Sequence, residues 1–177
     1  GKGSWEHHLP GNVRVIRSYQ LLQFKNENGQ SYETPAYCYK LKVPGVLFIP
    51  ETGFTIHSCL VSKTQVSDPN TLPPNEVLLD FNKLKGELYV RRRMPGDYFT
   101  PLGMNNSKVK LKKFFIDLKI PRNKRDLIPI IVCGDEIIWV AGLRPGEKFK
   151  VTKESEQLLH LALKNNNING FMNDESF

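Results

Sequence analysis

Between residues 36 and 60 no helix can run for long. AYCYKLKV leads into Pro44-Gly45, VLFI leads into Pro50-Glu51-Thr52-Gly53, and FTIHSCLV follows. Proline removes a backbone donor and fixes φ, glycine admits conformations closed to other residues, and the runs between them are rich in β-branched and aromatic side chains. The pattern predicts a short meander of strands with a turn at each Pro/Gly group. The same signs recur elsewhere. NVRVIRSYQLLQF, residues 12–24, predicts a strand, and ELYVRRR, residues 87–93, predicts another with Tyr89, Arg91 and Arg93 on one face and Leu88, Val90 and Arg92 on the other. IIVCGDEIIWVA, residues 130–141, predicts a hairpin turning at Gly134-Asp135, the glycine-first pattern of a type II′ turn.

Helical signals are fewer. Ser107 is the expected N-cap of a helix over Lys108–Lys119, in which Leu111, Phe114, Phe115 and Leu118 form one apolar stripe. Pro121 ends that helix and suits the first turn of a second, short one. Thr152, followed by Glu154, caps an expected closing helix over Thr152–Lys164. The fold class that follows is α+β: β-rich, with sandwich-like sheets and hairpins and two or three short helices. The expected organisation is a β-rich segment over 1–62, a linker or loop over 63–75 (KTQVSDPNTLPPN), a second unit over 76–164 and a frayed, Asn-rich tail over 165–177. There is no internal repeat.

At 177 residues the chain can bury one sizeable core or two small ones. The longest apolar run, Leu127 to Cys133, is broken by Pro129 and falls far short of the ~20 residues that span a bilayer. The first residues carry no secretory signal, and Gly1 in place of an initiator Met implies that the chain is a piece of something longer. Cys38, Cys59 and Cys133 are widely spaced and odd in number, which argues against a disulfide framework and against a zinc site, and implies a reducing cytoplasm. His7-His8 are adjacent, point apart on any regular element, and read as solvated. No phosphate loop of either common type occurs, no nucleophile has a base at a recognisable spacing, and Asp97, Asp117, Asp126 and Asp135 are dispersed. The sequence presents no catalytic site and no bound cofactor.

Charge is the most uneven property. From Lys85 to Asp126 there are 12 Lys or Arg against 4 Asp or Glu, whereas residues 1–84 hold 8 against 7 and residues 127–177 hold 5 against 7. The whole net charge of +7 therefore lies in one quarter of the chain. Lys108, Lys110, Lys112, Lys113 and Lys119 surround the apolar stripe of the expected helix with Asp117 as the only acid, and Arg122, Lys124 and Arg125 extend the field. A solvated amphipathic helix mixes signs for i,i+4 support, so this one points to phosphates. Arg91-Arg92-Arg93 beside Tyr89 can grip a sugar–phosphate backbone or guard a strand edge by charge. Phe114-Phe115 and Trp139 fall at core spacing.

RRRMPGDYFTPLGMNNSKVKLKKFFIDLKIPRNKRDLIPIIV, followed by IIWVAGLRPGEKF, resembles the C-terminal domain of bacterial tRNA(Ile)-lysidine synthase, over about Val77 to Leu163. LPGNVRVIRSY and KVPGVLFIPETG more weakly resemble the segment before that domain. The resemblance implies a β-rich α+β unit whose parent enzyme, a C–N bond-forming ligase, uses ATP with Mg and lysine to convert the wobble cytidine of a CAU-anticodon isoleucine tRNA to lysidine. The chemistry belongs to an N-terminal domain with an S-G-G-x-D-S loop that this chain lacks. Its implied partners are that tRNA, gripped along its body and acceptor stem, and the N-terminal catalytic domain; no membrane partner is implied, and a homodimer is left open. Carried over by position, the tRNA-facing residues are Arg91, Arg93, Lys110, Lys112, Lys119, Arg122 and Arg125, to which the charge pattern adds Lys108 and Lys124. Tyr98 stands where an Arg commonly follows Gly-Asp, Val109 interrupts a Lys-Lys pair, and Lys113 replaces an acid. Two readings compete with tRNA binding: a docking domain for the catalytic domain or a second subunit, and an enzyme acting on a phosphorylated ligand.

Overall fold

In a computed structural model of the chain, residues 35–66, 71–104 and 106–165 are described in full, with the backbone of three strands before them. Those three, β1 (Trp5–Leu9), β2 (Val13–Ser18) and β3 (Leu21–Asn26), form an antiparallel sheet in that order. The stretch read as one strand over 12–24 thus contributes to two paired strands. The side chains of His7 and His8, residues 67–70 of the Pro-rich segment and the tail from 166 to 177 lie outside the described residues.

The strands that follow are β4 (Cys38–Leu41), β5 (Gly45–Ile49), β6 (Phe54–Ser62), β7 (Glu76–Asp80), β8 (Leu88–Arg91), β9 (Tyr98–Phe99) and β10 (Val109–Lys110). After a helix, α1 (Leu111–Asp117), come β11 (Ile130–Cys133), β12 (Glu136–Val140), β13 (Arg144–Pro145) and β14 (Gln157–Asn165). One sheet has the order β13-β12-β11-β8-β4, another β5-β6-β14-β7, and β9 pairs with β10 as a short ribbon, all antiparallel.

The five- and four-stranded sheets pack face to face. Leu41, Leu88, Val90, Ile131, Ile138 and Trp139 from the first meet Ile49, Ile56, Leu79, Leu159, Leu161 and Leu163 from the second in one buried cluster. The other face of the five-stranded sheet is covered as well: Ile130, Val132, Ile137 and Val140 pack against Phe99, Leu111, Phe114, Phe115 and Ile120. Double coverage explains why β11 and β12 read as nearly unbroken apolar runs rather than alternating ones. A register shift at Ile131/Val132 leaves Ile138 unpaired between Trp139 and Ile137, a bulge that puts the neighbours Ile138 and Trp139 into the same cluster. The hairpin turns at Gly134-Asp135 as expected, with Gly134 at φ +57°.

Residues 36–60 are not one meander. β5 and β6 form a hairpin in the four-stranded sheet, but β4 pairs with β8 in the facing one. The crossing at Lys42–Gly45 is tight: the Ser58 hydroxyl donates to the Lys42 carbonyl at 2.6 Å, and a Cβ on Gly45 would sit 2.7 Å from that same oxygen. Pairing also runs across the Pro-rich segment, since β6 before it and β7 after it flank β14.

Two helix expectations fail. The closing helix over Thr152–Lys164 is absent, and Gln157–Asn165 is instead β14, an interior strand of the four-stranded sheet. QLLHLALK is composed of good helix formers, but the two unpaired edges of β6 and β7 supply nine and five residue pairs to it, and that pairing overrides local propensity. The Thr152 signature is a turn, in which the Ser155 hydroxyl accepts from the Thr152 N–H at 2.9 Å and donates to Asp80 at 2.7 Å. The helix expected over 108–119 is only α1, because Val109 and Lys110 are drawn into the ribbon; Lys110, not Ser107, is its N-cap, and Leu118 is exposed.

Asp80 is 4 % exposed. Burial opposes its ionisation, but hydrogen bonds from Ser155, Lys83 and the Asn82 N–H outweigh burial and hold its pKa below the ordinary carboxylate value. A lowered folded pKa contributes stability above the unfolded value and loses it as pH falls through the folded one. Ser155→Ala should therefore cost about 1–3 kcal/mol at neutral pH, with the deficit shrinking in acid, read from denaturant midpoints across pH. Leu159→Ala, fully buried in β14, should cost about 2–5 kcal/mol by the same measurement.

Candidate nucleic-acid interface

β8 and β11 are hydrogen-bonded neighbours, with Arg91 opposite Ile130. Everything from Arg92 to Pro129 therefore leaves the sheet beyond Arg91 and must return beside it. This excursion contains β9, β10, α1 and a 3-10 turn at Arg122–Lys124. Its Phe99, Leu111, Phe114, Phe115 and Ile120 form one side of the second core cluster, with Phe99 and Phe114 edge-to-face at 4.9 Å.

Two ion pairs clasp its ends. Arg91 grips Asp97 through both terminal nitrogens, at 2.9 and 2.8 Å, and the Met94 N–H adds a bond to the same carboxylate at 2.7 Å. The Asp97 carbonyl accepts from the Leu111 N–H at 2.9 Å, which fixes the start of α1 on this turn. Arg93 pairs with Asp126, its Nε 2.9 Å from one carboxylate oxygen, where the excursion rejoins the sheet. Arg91 and Arg93, both expected to face tRNA, are thus engaged by carboxylates and serve to hold the loop. Leu88 and Val90 join the main core while Tyr89 packs on the second, the alternation expected of this strand, and the Tyr89 hydroxyl donates to Glu87.

The other positions divide. Lys108 and Lys110 are exposed, each with its ammonium near the ring of Tyr98, at 5.6 and 5.7 Å from the centroid. Lys112 is exposed on α1; its neighbour Lys113 pairs with Asp117 at 2.6 Å. Arg122 is exposed, whereas Lys124 and Arg125 are half-buried, and the Nε of Arg125 donates to the Ile120 carbonyl at 2.8 Å. The structure thus brings Lys108, Lys110, Lys112, Lys119 and Arg122 to the exposed surface of one excursion. Glu147 anchors the loop ahead of β10 by accepting from the Gly103 N–H at 2.8 Å, and an ion-paired hydrogen bond from Lys150, assisted by that N–H, holds its pKa below the ordinary value.

Lys119 has φ +57°. α1 ends in a Schellman motif, with the Ile120 N–H donating to the Phe115 carbonyl and the Lys119 N–H to Ile116, both at 2.9 Å, and Ile120 and Phe115 share the second core. The left-handed position of that motif is usually glycine, and a side chain there costs about 1 kcal/mol. A lysine in that place keeps a cation at the helix end.

One grouping escaped the sequence. Cys59, His160 and Glu76 lie on adjacent strands of the four-stranded sheet, Sγ 3.7 Å from Nδ1 and Nε2 2.7 Å from the carboxylate. With 101 and 84 residues between the partners, only strand register joins them. Among the described residues no group of three His, Cys, Asp or Glu is placed to hold a metal, and no helix is long and apolar enough to cross a membrane.

Comparison with known proteins decides the family. Residues 88–162 match the model of the "TilS substrate C-terminal domain". The chain carries the C-terminal domain of the tRNA(Ile)-lysidine synthase family. It is 40% identical over 153 residues to the tRNA(Ile)-lysidine synthase of Caldanaerobacter subterraneus subsp. tengcongensis, covering 85% of this chain and 31% of the relative. It is 36% identical over 152 residues to that of Symbiobacterium thermophilum, covering 84% of this chain and 31% of the relative. A crystal structure of a TilS C-terminal domain superposes with a TM-score of 0.65 at 28% identity, over 75% of this chain and 99% of that one. The chain thus spans about a third of the length of the curated lysidine synthases it matches, and the β-rich antiparallel fold expected for the family's C-terminal domain is the one observed.

Lys119→Gly should raise stability by about 1 kcal/mol, read as a higher denaturant midpoint at unchanged slope. Asp97→Asn should act oppositely, at about 3 kcal/mol, because it leaves Arg91, 14% exposed, without its counter-charge. Hydrogen exchange should show that loss first in Met94–Leu111.

Proposed function

We propose that this chain is the tRNA-holding part of a tRNA(Ile)-lysidine synthase. It grips the body and acceptor stem of a CAU-anticodon isoleucine tRNA while a catalytic region present in full-length relatives, using ATP with Mg and lysine, converts the wobble cytidine to lysidine in the cytoplasm. The observation that carries this reading is the exposed set Lys108, Lys110, Lys112, Lys119 and Arg122 on one rigidly clasped excursion. A duplex RNA offers a protein surface mainly phosphates and 2′-hydroxyls, which such a set matches. Each lysine or arginine that neutralises a phosphate releases counterions, so five contacts give a slope of log affinity against log salt on the order of −4. Retention of Lys119 in a backbone conformation that disfavours it supports the same reading.

A docking role has its own support. Val46 and Phe48, on the edge strand β5, are 67% and 53% exposed and form an apolar strip far from the basic excursion in sequence. Contact with the catalytic region or a second copy there is compatible with tRNA binding.

The triple variant Lys110→Glu, Lys112→Glu, Arg122→Glu should bind the isoleucine tRNA at least 100-fold more weakly at low salt while keeping the wild-type circular dichroism spectrum. Unchanged affinity would overturn the tRNA reading. For docking, sedimentation of this chain with a separately produced catalytic region, without RNA, should show a complex that Phe48→Asp disperses; no association would end that reading.

A further inference from the structure

Tyr98 is a large aromatic ring, 41% exposed, on a backbone braced on both sides. On one side of it in sequence Asp97 is fixed by Arg91, by the Met94 N–H and by its own carbonyl bond from Leu111. On the other side Phe99 is 4% exposed and locked edge-to-face against Phe114. In the β9–β10 ribbon Tyr98 is the direct cross-strand partner of Lys110, as Phe99 is of Val109. Phe99 and Val109 face the second core, so Tyr98, Lys110 and Lys108 share the outer face. The ring adds nothing to either core, and both ammonium groups lie within 6 Å of its centroid.

A phosphate site needs cations and has no use for a ring; a core needs the ring and has no use for two lysines. Both together suit a nucleotide. Lys108 and Lys110, two residues apart on one extended face, are spaced by about 7 Å, close to the separation of consecutive phosphates along a nucleic-acid strand. The aromatic ring beneath both ammonium groups offers a stacking face to the base once they turn to the phosphates on either side of it. A base pair inside a stem is stacked on both sides and a terminal pair leaves only its outer face open, so a ring beside two phosphate-binding lysines suits an unpaired nucleotide best.

We propose that Tyr98, Lys108 and Lys110 form a subsite for one unpaired nucleotide next to a duplex, its base stacked on Tyr98 and its two flanking phosphates on the two lysines. This rests on the tRNA-binding reading and adds to it a single-stranded element: the excursion holds the end of a stem, not only its side. Because Tyr98 stacks without donors aimed at a base edge, the subsite accepts any base and favours purines through stacking area.

The test uses the full 177-residue chain and two RNA hairpins with the same stem, one blunt and one with a single-stranded 3′ extension carrying 2-aminopurine. Wild type should bind the extended hairpin roughly 5- to 100-fold more tightly than the blunt one, as expected of one stacked base, with quenching of the 2-aminopurine. Tyr98→Leu should remove the preference and the quenching and leave affinity for the blunt hairpin unchanged; Tyr98→Phe should keep all three. Equal wild-type affinity for the two hairpins, or a Tyr98→Leu loss equal on both, would overturn the subsite while leaving the tRNA reading in place. Binding of neither hairpin nor tRNA at low salt would overturn that reading and the subsite with it.

Discussion

The antiparallel pairing of Leu88–Arg91 with Ile130–Cys133 decides where the charge of this protein can go. Because these strands are neighbours, the chain between them must leave and re-enter the sheet at one point, and a loop of that length is held only if its two ends are tied. Arg91–Asp97 and Arg93–Asp126 tie them. The four acids between Lys85 and Asp126 are all taken up by ion pairs, Glu87 with Lys40, Asp97 with Arg91, Asp117 with Lys113 and Asp126 with Arg93. What remains is cation. The surplus is not a diffuse property of composition but the remainder after the fold has used every carboxylate in the segment to position itself.

The ion pairs are unequal. Lys113–Asp117 and Lys40–Glu87 are mostly solvated and contribute little. Arg91–Asp97 is bidentate and nearly buried, supplemented by a backbone N–H, which is the geometry in which such a pair fixes conformation. Lys119 works in the opposite sense, holding a left-handed position that glycine fills without strain. The excursion is therefore pinned where it meets the sheet and strained where it presents charge, a division common at sites that act on a ligand.

Much of this was legible in the sequence, and for identifiable reasons. Gly134-Asp135 named its turn because few residues other than glycine enter it, and Phe114, Phe115 and Trp139 declared themselves core by spacing. The basic character of 85–126 needed only counting. β14 was not legible: its leucines, alanine and lysine favour a helix, and the edges that recruit it lie roughly 80 to 100 residues upstream. For the same reason the ion pairs of Arg91 in β8 and of Arg93 just beyond it were not legible. Their partners Asp97 and Asp126 are visible in the sequence, but which arginine meets which carboxylate depends on a chain that doubles back. Tyr98 stood out only as a departure from its family's pattern, and its place between two lysines follows from a two-residue ribbon too short to announce itself.

The position of β14 bears on how the molecule comes into being. A ribosome delivers β6 and β7 long before the strand that lies between them, and until Asn165 has emerged the four-stranded sheet has two separated halves and half of the main core has no floor. The basic excursion, by contrast, has both its flanking strands once Cys133 has been added and its whole core once Val140 has. Synthesis thus reaches the charged excursion while the four-stranded sheet is still open, and β14 is the strand that closes it. A message cut shortly before that strand would yield not a slightly shorter protein but one with its basic segment complete and its main core unmade.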